Sequence, residues 1–532
     1  MSRWLQHTQC VRIGDQRDDA NWRQAADRSK AWRQLTGLDG KFLEINARYR
    51  DEELAVLGYG AFGVVFKGAR KLHEYASEQK YTDVVVKMFI SRNTTTRSAA
   101  TREARALLFL QQSVPPELNT LCQPGLICYV DHFIAVVGKT LLHTLYTYLY
   151  QKSRQSANYR ASESSSATAS PSLLPPPSSS ATVTTLDPRV ESLIVSTFPK
   201  MDHYFKESGR GAYFIETLAL SGHTLDDIQL KDGISGATLP FTKNLNMMLT
   251  AAQALEFMHT HGIVHSDIKP DNIFVSHLYD GALDGGRGFS AAFLTTALPE
   301  CTLIDVGLAC RADVTKVSAK EAESDVGTCS AIEGARGYVA PTQMRLAAFE
   351  RATRPDLISF ERRASWDVYA LGLSFRDFGL GINVNDLRRK ALQANEVTKE
   401  FIDSFNDTMR VANPFSRVPT APHFHEQGDN ADRALSRVIS TMVRLKDSSR
   451  ATIVQVVKDL EQLKAQLTAG SSTTAAVDAG TSTAKTKKKT ASESEQQKPG
   501  QSEKRARLSS TGVGAGGGGG GGSSNDEDDD DE

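Results

Sequence analysis

The segment His265-Ser266-Asp267-Ile268-Lys269-Pro270-Asp271-Asn272 puts a carboxylate, an ammonium and an amide into one short stretch. Pro270 keeps that stretch from continuing as regular helix, so a loop is expected. At this spacing Asp267 can take or orient the proton of an attacking hydroxyl, and Lys269 can neutralise charge on a transferring phosphoryl group. Asn272 can offer an amide oxygen to Mg²⁺. Upstream, Gly58, Gly60 and Gly63 form a Gly-x-Gly-x-x-Gly run whose backbone can lie close over a triphosphate with no Cβ in the way. The chemistry these two stretches suit is phosphoryl transfer from ATP. The glycine spacing alone is not specific, since it also serves dinucleotide folds, where the turn opens into a helix, and ordinary hairpins.

The elements that must position these groups are legible nearby. After Gly63 come Val64, Val65 and Phe66, a β-branched and aromatic run with no helix start, which predicts a strand-turn-strand flap. Val84-Val85-Val86 ends in Lys87, so a buried strand is expected to deliver an ammonium to an interior cleft. A buried lysine needs partners. Between Lys87 and Pro115 the one acid is Glu103, in the helical-looking stretch 99–112; it is read as the counter-ion, the alternative being a solvated glutamate on a helix face. Ile273-Phe274-Val275 reads as a short buried strand. Thr302-Leu303-Ile304 leads into Asp305-Val306-Gly307, which puts a carboxylate at a strand end where a hard cation can take it.

In these residues the chain resembles the eukaryotic protein kinase family, from about Leu57 to about Leu463. The resemblance implies an α+β, bilobal fold with a small β-rich N-lobe, a larger helical C-lobe, and ATP and Mg²⁺ in the cleft between them. It further implies that Leu57, Gly58, Gly60, Gly63, Val65, Lys87 and Glu103 form the nucleotide site. Asp267 and Lys269 would be catalytic, and Asn272 and Asp305 metal ligands. The Asp-Ile-Lys-Pro-Asp-Asn wording is similar to the serine/threonine branch. Gly337 to Pro341 resembles the end of an activation segment. Ser365 to Gly372 resembles the start of the central C-lobe helix, with Asp367 as its backbone-anchoring carboxylate, and Arg450 resembles a late structural arginine.

The departures are equally specific. Ser266 replaces the arginine that usually precedes the catalytic aspartate, which removes one partner for an activation-loop phosphate. Val306 stands for the usual phenylalanine and Ala335 for a frequent threonine. Thr342 stands for the usual glutamate, which predicts an Arg450 without its customary ion pair. These four substitutions motivate an alternative reading, a pseudokinase scaffold that binds nucleotide or partner proteins without turnover. A small-molecule or lipid kinase of related fold is the third reading.

The expected organisation is an N-terminal extension over 1–49, a kinase domain over 50–466 and a disordered tail over 467–532. The N-lobe is placed at about 50–222 and the C-lobe at about 223–466. A Ser/Ala/Thr/Pro-rich insertion at about 151–190, with its middle at 153–188, is expected to be disordered. A Gly-rich insertion is expected at 277–299. Residues 193–201 and 213–222 both qualify as the strand contacting adenine; the second is preferred, because the helical stretch 245–259 then fits before His265. The first 50 residues, with Trp4, Trp22 and Trp32 among arginines, read either as a helix packed on the small lobe or as a flexible arm.

A hydrophobic fraction of 40% is enough for a substantial core, and a formal net charge of −1 gives no global pull toward nucleic acid or membrane. Direct nucleic-acid binding is therefore not expected. Met1 is not followed by a signal-peptide core, and no run of about 18 apolar residues occurs, so a soluble intracellular protein is expected. The six cysteines lack Cys-x-x-Cys spacing and read as free thiols. In the tail, Lys485, Lys487, Lys488 and Lys489, then Lys504, Arg505 and Arg507, read as a bipartite signal for a nuclear import receptor or as a solvated basic linker. Localisation is accordingly nucleus or cytoplasm. The acidic run Asp526 to Glu532 is read as a contact for basic proteins, a fold-back partner for those clusters, or a solvating tail, and protein substrates are the implied partners.

Overall fold

The computed structural model describes residues 32–34, 43–50, 53–60, 63–71, 81–90, 94–114, 122–163, 188–201, 211–232, 239–276, 297–311, 329, 334, 337–346, 358–379 and 428–477. The chain divides into a compact unit ending at Thr473 and a second unit from Thr474, of which the described part is the last turn of one helix. The strands are β1 (Arg33–Gln34), β2 (Ala55–Tyr59), β3 (Gly63–Lys71), β4 (Tyr81–Phe89), β5 (Tyr129–Val136), β6 (Gly211–Leu218), β7 (Gly222–Thr224), β8 (Ile263–Val264), β9 (Ile273–Ser276), β10 (Glu300–Leu303) and β11 (Cys310–Arg311). The helices, numbered here in chain order, are α1 (Thr94–Gln112), α2 (Lys139–Glu163), α3 (Pro188–Thr197), α4 (Leu225–Asp232), α5 (Phe241–Thr260), α6 (Pro341–Arg345), α7 (Phe360–Gly379), α8 (Gly428–Met442) and α9 (Ile453–Val477).

The N-terminal part is a six-stranded sheet of order β1-β5-β6-β4-β3-β2, antiparallel except for the β1–β5 pair. Alternation along β4 decides what each face holds. Val84, Val86 and Met88 enter one apolar cluster with Val64, Phe66, Phe133 and Phe214. Phe89 enters another with Ala100, Ala104 and Leu107 of α1 and Ile215 of β6. That second cluster continues into the helical part through Leu249 and Leu255 of α5, Tyr369 and Leu373 of α7, Ile439 of α8 and Leu460 of α9. The architecture is a β-sheet N-terminal region followed by a helical C-terminal region, in line with the expected α+β, two-part fold.

The first sheet face is covered by α2 and α3, whose Leu141, Leu145, Leu149, Val190 and Ile194 join its cluster. This corrects the expectation of disorder at residues 151–163 and 188–190. Helix α2 runs on to Glu163 and α3 starts at Pro188, while 164–187 lie outside the described residues. The apolar stripe at i, i+4 and i+8 that Leu141, Leu145 and Leu149 form anchors α2, and the polar sequence beyond follows the helix already nucleated.

The expected boundary near residue 50 also moves. Ile45 and Tyr49 are fully buried in the same cluster, and Trp32 packs edge-on against His132 and Tyr213 just before β1. Tyr49 donates to the buried Glu216 carboxylate, which also accepts from Arg48 at 3.0 Å and Arg70 at 2.9 Å. Residues 32–34 and 43–50 thus belong to the sheet region, and within them Ile45–Arg48 form one short 3₁₀ turn packed on it. At the other end α9 extends to Val477, beyond the expected start of the tail at 467; the basic clusters, the acidic run and residues 277–296 lie outside the described residues.

The cysteines require a further correction. Cys310 is bonded to Cys329 and Cys122 to Cys128, while Cys301 is free and buried, and its burial raises the thiol pKa. No helix among the described residues is long and apolar enough to cross a membrane.

Candidate active site

Strand β6 lies between β4 and β5, so residues 213–218 form the central strand that leads out of the sheet toward β7, whereas Leu193–Met201 form the end of α3 and a 3₁₀ turn. Helix α5 then runs to Thr260 and stops where Gly262 takes φ +73°, with the His261 N–H turning back to Phe257 and the Gly262 N–H to His259. Two residues of β8 carry the chain into the loop of Asp267.

That loop is held from α7. The Asp367 carboxylate accepts the backbone N–H of His265 at 2.7 Å and of Ser266 at 2.8 Å, and contacts His259 Nε2 at 3.0 Å. Ser266 sits at φ +66°, a left-handed conformation rare outside glycine, and the two bonds to Asp367 hold it there. The Asp267 N–H donates to His265 Nδ1 at 3.3 Å, which leaves the proton on Nε2 to meet the Ile304 carbonyl at 3.2 Å. His265 therefore ties the Asp267 loop to the strand end that carries Asp305.

Asp267, Lys269 and Asn272 converge. Lys269 Nζ lies 3.1 Å from Asp267 Oδ2, and Asn272 Nδ2 donates to Asp267 Oδ2 at 2.9 Å and to its carbonyl at 2.8 Å. With the amide nitrogen so engaged, the Asn272 oxygen is the group left for a cation. Burial raises the Asp267 pKa above the ordinary aspartate value even though Lys269 pulls it down. A raised pKa suits a group that must take a proton.

The second cluster joins sheet, helix and strand end. Lys87 Nζ lies 2.8 Å from Glu103 Oε2 and 2.7 Å from Asp305 Oδ1. Burial opposes the Lys87 charge, but Asp305 and Glu103 outweigh it and raise its pKa. The Lys87 ammonium in turn holds Asp305 below the usual carboxylate range. Asp305 stands at φ +58°, and Val306 behind it is 1% exposed, so the smaller side chain still packs in the core. Gly307 lies close against this cluster: a Cβ there would come within 2.9 Å of Glu103 Oε2 and 3.2 Å of Asp305 Oδ1, so both carboxylates would have to shift.

The glycine flap is β2 and β3. Its turn is closed by the Gly60 N–H donating to Gly63 at 2.9 Å, and the ladder shifts register between Val56 and Gly58. Leu57 is 53% exposed and Val65 pairs with Lys87 across β3 and β4. Among the described residues nothing lies within 4 Å of where a Cβ would stand at Gly58 and Gly60, whereas at Gly63 a Cβ would strike the Met88 carbonyl. The donor set fits Mg²⁺ and a triphosphate: two oxygen ligands, one ammonium and an uncovered glycine backbone. Among the described residues no group of three His, Cys, Asp or Glu is arranged to hold a metal alone, and Mg²⁺ shared with phosphates needs none.

Thr342, in the glutamate position, makes no ion pair with Arg450, as expected, yet Arg450 is paired. Asp447, three residues before Arg450, takes that place at 3.0 Å and also accepts from Thr342 at 2.7 Å. No feature of Asp447 in the sequence marked it for this role. Ala335 lies outside the described residues.

The protein kinase domain family matches residues 205–460, and the protein tyrosine and serine/threonine kinase family matches residues 52–326. The chain is 37% identical over 57 residues to Wee1-like protein kinase 2 of Gallus gallus, covering 11% of this chain and 10% of that protein. It is 35% identical over 68 residues to serine/threonine-protein kinase PKZ1 of Phytophthora infestans, covering 13% and 16%. With serine/threonine-protein kinase pkn2 of Myxococcus xanthus it shares 28% identity over 156 residues, covering 29% and 15%. The matched stretches thus span 10% to 16% of these relatives. With one family match spanning more than half of the chain and the Lys87, Glu103, Asp267, Asn272 and Asp305 side chains gathered in two adjoining clusters, this chain belongs to the protein kinase family.

Proposed function

We propose that the protein is an active, ATP-dependent kinase that phosphorylates serine or threonine hydroxyls of proteins. The observation that carries this reading is Lys87, which meets Glu103 and Asp305 at once while Asp267 stands beside Lys269 and Asn272. The set of phosphate-, metal- and proton-handling groups is complete. Mg·ATP, when bound, supplies the electrophilic phosphoryl group and the cationic charge that screens it.

This chain's residues do the rest. Lys87, kept charged by its two carboxylates, offers an ammonium for phosphate oxygens, and Asp305 and Asn272 offer oxygens to the cation. Asp267 orients the acceptor hydroxyl and takes its proton as the new O–P bond forms and the bond to the leaving diphosphate breaks. Lys269, 3.1 Å from Asp267, screens the charge of the transferring group. The Lys269-Pro270-Asp271-Asn272 wording supports serine or threonine as acceptor.

The test is transfer of labelled γ-phosphate from Mg·ATP to a generic basic protein, with the phosphoresidue identified. Asp267→Asn and Asp305→Asn are each expected to lower incorporation by roughly 100-fold or more. Nucleotide binding without any transfer would favour the scaffold reading. For the cell we propose nuclear import through Lys485 to Arg507, tested by whether Ala substitutions at Lys487, Lys488, Lys504 and Arg505 shift a tagged protein to the cytoplasm.

A further inference from the structure

The glycine flap carries one large side chain between its first two glycines, and that side chain is held from outside the sheet. Tyr59 is 38% exposed, and its ring meets Phe198 edge-on at 5.1 Å between centroids and 90° between planes. Tyr148 approaches the same ring edge-on at 6.4 Å and 89°. Lys152 Nζ stands over the Tyr59 ring at 4.5 Å and over Tyr148 at 5.9 Å. Tyr148 and Lys152 belong to α2, and Phe198 follows α3 directly, its N–H bonded back to Ile194. Three groups of the insert therefore converge on one residue of the flap.

Among the described residues the flap is otherwise held by the β2–β3 ladder, in which Tyr59 pairs with Val64; that ladder slips register between Val56 and Gly58, Gly58 and Gly60 carry no side chains, and the Gly60 N–H donates to the Gly63 carbonyl. The insert, by contrast, is firmly seated: Leu145 and Ile194 are fully buried against the sheet, and Phe198 is 4% exposed. Edge-to-face rings and a cation over a ring are directional contacts, so they restrain the position of Tyr59 and not merely its burial.

We propose that the α2–α3 insert is a clamp that pre-positions the phosphate-covering flap through Tyr59, making Phe198, Tyr148 and Lys152 positioning residues for nucleotide binding. A flap already ordered loses less freedom when it closes over phosphates, and nucleotide affinity rises accordingly. The consequence for nucleotide rests on the kinase reading; the restraint itself does not, and the two are tested separately.

The restraint is read by hydrogen–deuterium exchange of the full chain without nucleotide. Phe198→Ala and Tyr148→Ala are each expected to speed exchange of peptides covering Leu57–Gly63 by roughly 10-fold, with peptides of β5 and of α3 within about 2-fold of the parent. Phe198→Tyr and Tyr148→Phe keep the ring edges and should behave as the parent. Tyr59→Ala should speed the flap equally, and adding Phe198→Ala to it should do nothing more there. In the kinase assay Tyr148→Ala should raise KM for ATP by roughly 10-fold and leave kcat within about 2-fold. Flap exchange unchanged in both alanine variants overturns the proposal. So does exchange that rises equally in β5, α3 and the flap, because that is loss of packing alone. Slow exchange restored by the ring-retaining variants in a protein that transfers no phosphate would support the clamp and sink the kinase reading.

Discussion

Asp447 and Arg450, three residues apart, form an ion pair at 3.0 Å that does the work of a glutamate this chain lacks. The Arg450 side chain is fully buried and also donates to the Ser365 carbonyl at 2.8 Å and the Arg444 carbonyl at 3.1 Å. Asp447 in turn accepts from Thr342 at 2.7 Å, Trp366 at 3.3 Å and Arg362 at 3.2 Å. One carboxylate thereby joins the residue after Pro341 of α6, the first turns of α7 and the stretch leading to α9. Thr342 is a hydroxyl donor to a carboxylate that comes from elsewhere.

Removing that carboxylate should be costly, because it strands a buried guanidinium. Asp447→Ala is expected to lower stability by about 3 kcal/mol, measured by denaturant unfolding. Thr342→Val, which removes one donor but leaves the ion pair, should cost about 1 kcal/mol. Equal losses for the two would mean that the ion pair is not what holds this junction.

Asp267 governs two pH dependences of opposite sense. Its carboxylate must be ionised to take a proton, and burial raises its pKa, so kcat/KM should fall on acidification with a midpoint above the ordinary aspartate value of about 3.9. For folding the sign reverses: a carboxylate whose folded pKa is raised costs stability progressively as pH rises from the unfolded value of about 3.9 to the folded one, and the cost is fully present above it. Asp267→Asn should therefore raise the Tm at neutral pH while lowering transfer by roughly 100-fold or more, and a lowered Tm would contradict the direction of the shift.

Gly307 tests the geometry of the Lys87 cluster. In Gly307→Ala the new methyl would press on Glu103 and Asp305 and stand 3.5 Å from Lys87 Nζ. ATP affinity should fall by roughly 10-fold, equivalent to about 1.4 kcal/mol, with little change in Tm. Direct titration with a fluorescent nucleotide reads this without relying on turnover.

The Cys310–Cys329 bond ties β11 to a residue 19 positions on, in the segment leading to Pro341. Cys310 also lies 3.9 Å from the Ser266 hydroxyl, where the family's arginine would stand. Non-reducing peptide mapping should recover the linked pair, with Cys301 labelled by an alkylating agent only after unfolding. Cys329→Ser is expected to lower the Tm by about 5 °C, since closing a loop of this size contributes about 3 kcal/mol.

Much of the site was legible because it is built from contiguous residues. Asp267, Lys269 and Asn272 fall within one loop that Pro270 keeps from continuing as helix, and Lys87 ends a β-branched run that reads as a buried strand. Glu103 was found by elimination, since no other acid lies on its helix. The helix through Ser153 to Glu163 was not legible, because its local composition disfavours order while α2 draws its stability from Leu141, Leu145 and Leu149 upstream. Residues 32–34 and 43–50 gave no periodic signal, because Trp32 packs on Tyr213 while Ile45 and Tyr49 join the other cluster of the sheet region at irregular spacing.

By itself the sequence determined the chain's likeness to the protein kinase family and the side chains that form its two candidate-site clusters, because those depend on side-chain type at short, local spacing. Tertiary structure alone decided which distant group completes each of them. Asp447 became the partner of Arg450, Phe198 and Tyr148 came to rest on Tyr59, and Cys310 met Cys329. The physical reason is that an ion pair, a ring contact or a sulfur bridge has a reach of a few ångströms, and what lies within that reach is set by how the sheet and helices pack, which no local pattern encodes.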